Sequence, residues 1–230
     1  MNRTGLLIAL TVATISGLLF ALYPQLDLIL ARYFYDSESR QFVLGTLGRA
    51  ELVRRAAMWI AWAFAVPALV APIVKLVRPR RPLLIPGRAI VFLLTTIFLI
   101  AGVLPNLIFK DHWGRPRPVA TSDFNGPYAF KPWWDPRGAN PRNGSFFSGE
   151  AATAFWTYAP AALAPPAFRA VAFAAATVFG IATGLLRMAF GGHYASDVIA
   201  AGVVAFLVTW LVHGFVYRWR RPPSNDERNG

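Results

Sequence analysis

Six stretches of the chain are apolar for long enough, or nearly so, to cross a hydrocarbon layer of roughly 30 Å, which takes about 20 helical residues. They cover about 5–23, 56–74, 89–109, 151–168, 170–186 and 198–217. The third is the cleanest. The fourth is interrupted by Pro160, Pro165 and Pro166, and almost nothing separates it from the fifth, so these two are expected to form a tight antiparallel hairpin. The first follows a single Arg3 and has no small-x-small pattern before Tyr23-Pro24, which reads as a span rather than a cleaved signal. The pattern predicts an all-α protein, a six-transmembrane helix bundle forming a single domain over 1–230.

The polar intervals are unequal. Within 24–55, the segments 26–35 and 46–55 mix apolar and charged positions as interfacial helices do. An ordinary connecting loop fits the same pattern. The interval 119–147 is rich in Gly, Pro, Asn and Trp, and its central Trp133-Trp134 pair suits a bilayer interface or a lipid entry route.

Composition agrees with a membrane protein. Of 230 residues, 56% are apolar and 15% charged. The net charge of +12 is spread over clusters between the spans, which argues against a nucleic-acid partner. Cysteine is absent, which excludes disulfides, thiol catalysis and Cys-based zinc sites. Lys75, Arg78, Arg80, Arg81 and Arg88 in one loop, and Arg218, Arg220, Arg221 and Arg228 in the tail, place these segments and both termini in the cytoplasm. The intervals 24–55 and 110–148 then face outward. The outward side still carries 12 of the 23 Lys and Arg residues, and six of those 12 fall within 110–142. That excess needs a reason other than topology, and anion binding supplies one.

The chemistry-bearing residues gather at the edges of the spans. His193 and Asp197 are four apart, so on a helix they share a face, and a carboxylate bonded to one imidazole nitrogen leaves the other free to attack. Gly191-Gly192 before the histidine allows close backbone approach to a ligand. Taken alone, the pair favours a polar helix end with one buried hydrogen bond. Arg187 offers a planar fork to phosphoryl oxygens, and Lys110 and Arg117 add charge. Snorkelling at the interface explains one or two of these cations but not all of them. Ser148-Gly149, before the fourth span, presents a hydroxyl and N–H groups to an anion, or is a plain helix cap with Glu150 in its first turn.

The spacing Lys110-x6-Arg117-Pro118, then Phe147-Ser148-Gly149-Glu150, then Leu186-Arg187-x5-His193-x3-Asp197 resembles the type 2 phosphatidic acid phosphatase (PAP2) superfamily. The resemblance covers 110–197, and the first and third motifs match at every charged position. It implies a bundle of PAP2 type with the motifs at its outward face, working without metal or other cofactor. It implies that His193 is the nucleophile, forming a phosphohistidine, and that Asp197 orients it. Lys110, Arg117, Arg187, Ser148 and the Gly149 N–H would hold the phosphoryl oxygens. Two positions depart from the pattern. Phe147 replaces a usual Pro, and Glu150 stands where a second histidine protonates the leaving group, which makes Glu150 the candidate acid. His112, outside the motif position, is a weaker substitute donor. His112, Arg115 and Arg142 are also candidates for binding further anionic groups of the substrate.

The resemblance implies a phosphorylated membrane lipid as partner, in a bacterial inner membrane with the site facing the periplasm. Lipid A is favoured, at its 4′-phosphate ahead of its 1-phosphate, since an acidic residue after Ser-Gly resembles some lipid A phosphatases. Undecaprenyl diphosphate, phosphatidylglycerol phosphate, and phosphoryl transfer to a second lipid remain open.

Overall fold

The structure, a computed structural model, describes residues 3–45, 47–110, 112–139 and 144–218. The order along the chain is α1 (Arg3–Leu22), α2 (Gln25–Arg32), the short strands β1 (Tyr35–Asp36) and β2 (Gln41–Phe42), α3 (Gly48–Val77) and α4 (Gly87–Ile97). Then come α5 (Gly149–Phe155), α6 (Tyr158–Leu163), α7 (Pro166–Ala189) and α8 (Ala195–His213). Wide π-helical turns carry α4 on through Phe98–Lys110 and α8 on through Gly214–Arg218. Among the described residues, five helices are long and apolar enough to cross a membrane: α1, α3, α7, and α4 and α8 with their extensions.

The expected fourth span is the central element of the bundle, but it is two short helices rather than one. Pro160 has no N–H for the carbonyl of Trp156, and the Ala159 N–H takes that carbonyl at 2.8 Å in a tighter turn. Pro165-Pro166 then ends the segment and starts α7, so Phe168 belongs to α7. Trp156 is fully buried at the break and donates its indole N–H to Thr96 Oγ1 at 3.0 Å. The expected hairpin is present: Tyr158 meets Thr177 at 3.0 Å, and the Phe155 ring lies where a side chain on Gly180 would be, 2.1 Å from an ideal Cβ. Buried alanines line the facing surfaces, with Ala61, Ala65, Ala68 and Ala71 on α3, Ala151, Ala152 and Ala154 on α5, and Ala201 and Ala205 on α8. Where lipid tails are as apolar as any side chain, close approach of small residues replaces the hydrophobic drive.

The 24–55 interval is ordered only partly as expected. The first amphipathic segment is α2, but the second does not form a separate interfacial helix. Residues 48–55 are the opening turns of the 30-residue α3, because no breaker follows them. The β1–β2 hairpin packs Tyr35 and Phe42 against Phe124, the three ring centroids 5.1 to 5.2 Å apart, and Phe42 fills the space beside Gly191. It therefore braces the turn between α7 and α8. Trp133 packs against Gly17 of α1 and stacks on Phe146, while Trp134 is exposed.

Candidate active site

Local rules put the motif residues at one end of the bundle. Pro105 cannot donate to the Ala101 carbonyl inside the α4 extension, and Asn106 Nδ2 does so instead at 3.1 Å. The same Asn106 side chain accepts from Lys110 Nζ at 3.2 Å. These wide turns end with Lys110 against the start of α5, its Nζ 3.3 Å from where a Cβ on Gly149 would lie. Ser148 caps α5, its hydroxyl accepting from the Ala151 N–H at 3.3 Å. Arg187 leaves the last turn of α7, and its guanidinium occupies space that any side chain on Gly192 would take, 2.5 Å from an ideal Cβ.

His193 is not on a helix. Gly191 has φ +66°, which ends α7, and α8 starts only at Ala195. The expected bond between His193 and Asp197 is replaced. Nδ1 donates to the Ser145 carbonyl at 2.7 Å, and Asp197 Oδ2 stands at 3.7 Å. The reason is that Asp197 is already committed. It accepts from Arg115 Nη1, from the Ser145 hydroxyl and, at 2.8 Å, from the Tyr194 N–H at the start of α8. A carbonyl only accepts, so the proton sits on Nδ1 and the lone pair on Nε2. Burial pushes the His193 imidazole below its ordinary value. Asp197 opposes that shift, and the Arg187 and Arg117 guanidiniums reinforce it. The ring is therefore neutral at pH 7, the form a nucleophile needs.

Arg115 is not a substrate ligand as expected. It is fully buried, and beyond Asp197 it donates to Lys131 O at 2.9 Å, Ser196 Oγ at 2.9 Å and Asp27 Oδ2 at 2.7 Å. The Tyr194 ring covers it at 4.4 Å. Sequence patterning did not single out Asp27 of α2, yet its other oxygen accepts from the Ser196 N–H at 3.0 Å. Burial pushes the Asp27 carboxyl up, with Arg115 pulling it down and Asp197 adding to the rise. Ser145 was missed as well: it stands just before the Phe147-Ser148-Gly149-Glu150 motif, outside the positions that the motif names.

Glu150 lies on the opposite side of the site, partly exposed. Its Oε1 is 3.6 Å from Arg187 Nε and 3.5 Å from Arg54 Nη1, and neither its Oε2 nor Arg187 Nε makes a hydrogen bond among the described residues. Arg54, from the second turn of α3, was also unforeseen; it pairs with Glu51 at 2.9 Å and sits 6.0 Å from the Phe190 ring. Arg117 is half-buried. Burial lowers its guanidinium, Glu150 and Asp197 raise it, and Arg54 lowers it further, which places all four groups within electrostatic reach. His112 is exposed at the rim. Arg142 lies outside the described residues.

The neutral imidazole thus feels the charges of Arg187 and Arg117, and Lys110 stands beside Gly149 at the start of α5; such cations suit a phosphoryl group. A PAP2 superfamily profile matches residues 89–221. Over 219 residues the chain is 33% identical to the lipid A 4′-phosphatase of Francisella tularensis subsp. novicida (strain U112), covering 95% of this chain and 98% of that protein. It is 36% identical over 115 residues to the lipid A 4′-phosphatase of Rhizobium leguminosarum, covering 50% of this chain and 49% of that protein. No solved structure matches the chain. Spans, motifs and relatives agree that the chain is a multi-pass membrane phosphatase belonging to the PAP2 superfamily.

Proposed function

We propose that this enzyme, a phosphatase of a phosphorylated membrane lipid, removes the 4′-phosphate of lipid A at the periplasmic face of the inner membrane. The observation that carries the chemistry is the 2.7 Å contact from His193 Nδ1 to the Ser145 carbonyl, which leaves Nε2 as the nucleophilic nitrogen. The choice of lipid A rests on the near full-length similarity to a protein of that activity.

In this mechanism His193 Nε2 attacks phosphorus as the bond to the sugar oxygen breaks. Lys110, Arg117, Arg187, the Ser148 hydroxyl and the Gly149 N–H hold the three phosphoryl oxygens and the charge they gain. Asp197 fixes the polar frame around the imidazole. The incoming phosphate takes up the donors of Arg54 and Arg187, so Glu150 enters the step as the protonated acid and gives that proton through Oε2 to the leaving sugar oxygen; its carboxylate then takes a proton from the water that follows. Water then attacks the phosphohistidine, the P–N bond breaks and inorganic phosphate departs.

The site lies at the end of the bundle away from the basic loop. Arg54 is near the start of α3 and Lys75 near its end, about 30 Å apart at 1.5 Å per residue. Lys75, Arg78, Arg80, Arg81 and Arg88 thus favour a cytoplasmic far end and a periplasmic site. Reporter fusions at Gly126 and Pro82 test this orientation, and a cytoplasmic signal at Gly126 would overturn it. For the substrate, purified protein is offered lipid A, undecaprenyl diphosphate and phosphatidylglycerol phosphate. Mass spectrometric fragmentation then shows which sugar has lost its phosphate. Expected is free phosphate and lipid A dephosphorylated on the distal sugar; loss from the proximal sugar, or no turnover of lipid A, refutes the assignment.

A further inference from the structure

One guanidinium, that of Arg115, joins two buried carboxylates. Its Nη1 donates to Asp197 and its Nη2 to Asp27 at 2.7 Å, and Arg115, Asp27 and Asp197 are each at most 1% exposed. Such groups are costly to bury unless every charge is matched and every polar atom bonded. Here the polar atoms are bonded throughout, and the negative charge that one guanidinium leaves over from two carboxylates lies at a helix start. Both carboxylates also cap the start of α8, Asp197 through the Tyr194 N–H and Asp27 through the Ser196 N–H, where the helix dipole favours negative charge. Ser196 Oγ bonds to Asp27 Oδ2 at 2.6 Å, and Ser145 Oγ to Asp197 Oδ2. The same Ser145 carries the carbonyl that accepts from His193.

We infer that Asp27 and Arg115 are positioning residues for the phosphoryl-transfer step, an α2-borne brace that holds Asp197 and Ser145 and, through them, aims the His193 ring. The chain of contacts is Asp27, Arg115, Asp197, Ser145, His193. Every link is a hydrogen bond between buried groups, and the chain runs from an interfacial helix to the Nδ1 of the attacking ring. Neither residue can touch the phosphate: Arg115 spends its donors on the frame and on the Lys131 carbonyl, and Asp27 would repel an anion. Arg115 is suited to the role because its planar fork spans two carboxylates at once, which an ammonium group cannot do.

This inference rests on His193 being the nucleophile. The test compares wild type, Arg115→Lys, Asp27→Asn, the double variant and His193→Ala in the full-length protein, with a soluble aryl phosphate as substrate and inorganic phosphate as inhibitor. Melting curves give the folded fraction. Expected is a fall of about 10²-fold in kcat for Arg115→Lys, the cost of misplacing a reacting group by about 1 Å. Inhibition by phosphate should stay within about twofold, because the anion site is untouched. Asp27→Asn, nearly isosteric, should lose about tenfold in kcat, and the double variant little more than Arg115→Lys, since linked residues are not additive. Normal kcat per folded molecule in Arg115→Lys and Asp27→Asn, with lowered melting temperature, would reduce the pair to a structural support and overturn the proposal. Weakened phosphate inhibition at normal kcat would overturn it too, by making Arg115 a ligand. An active His193→Ala refutes the nucleophile itself; an inactive one beside fully active brace variants refutes only the brace.

Discussion

Around His193 the polar groups differ in how fully they are bonded. On the α2–α8 side, Asp27, Arg115, Asp197, Ser145 and Ser196 are buried and bonded to one another at hydrogen-bond distance. On the α3–α5–α7 side, Arg54, Glu150 and Arg187 approach only to 3.5 and 3.6 Å, and two of their buried polar atoms make no hydrogen bond among the described residues. The first set has the structure of a finished core, with nothing left to offer an incoming molecule. The second retains donors at distances where a phosphoryl oxygen competes well. On the proposed mechanism, one side sets geometry before binding and the other completes its bonding on binding.

That contrast can be broken most sharply at the atom between the two sides. His193→Ala should lower turnover by at least about 10³-fold on any phosphate ester, as loss of a nucleophile does in other enzymes. Radiolabelled phosphate should no longer be trapped on the protein. Next in size is Arg187→Lys, expected to cost about 10²-fold in kcat/KM, because a point charge cannot replace a fork on two oxygens. Weaker inhibition by inorganic phosphate should accompany that loss, and its absence would move Arg187 out of the binding set.

Glu150→Gln sharpens the loose side by chemistry. If Oε2 delivers a proton, the variant should lose about 10²-fold on a lipid monoester and little on an aryl phosphate, whose leaving group needs no proton. Equal losses on both would leave Glu150 a spacer between arginines. Arg54→Ala is expected to act only through binding, raising KM about fivefold with kcat nearly unchanged, in line with one partly screened charge.

The smallest effect concerns pH. The His193 value is depressed, so its neutral form persists below the ordinary imidazole value of about 6.5. On an aryl phosphate, which needs no proton from Glu150, the acid limb of kcat/KM should lie below that point, with activity rising as the ring loses its proton and level through neutrality. The same shift favours the folded state above the unfolded histidine value and is lost as pH falls through the folded one. An acid limb above 6.5 would contradict a buried neutral ring.

Spans, hairpin and the motif positions were legible because each depends on neighbours in sequence: hydropathy over some 20 residues, proline position, motif spacing. Asp27 and Arg54 were not, because their roles are set by partners far along the chain, Arg115 and Glu150. Nothing local distinguishes Asp27 from an exposed acid on an interfacial helix. Arg115 shows the converse. Its place between Lys110 and Arg117 suggested an anion ligand, and only the two carboxylates of α2 and α8 show where its charge is spent.

The acceptor that sets the His193 tautomer is the carbonyl of Ser145, a main-chain atom. Every amino acid at position 145 supplies that oxygen, so no single codon change deletes it. Substitution of Ser145 removes only the hydroxyl on Asp197 and leaves the proton on Nδ1. Mutational scanning will therefore find the hydroxyl and pass over the carbonyl. Replacement of the amide by an ester at the bond following residue 145, which weakens the carbonyl as an acceptor, is the kind of chemical change that exposes it.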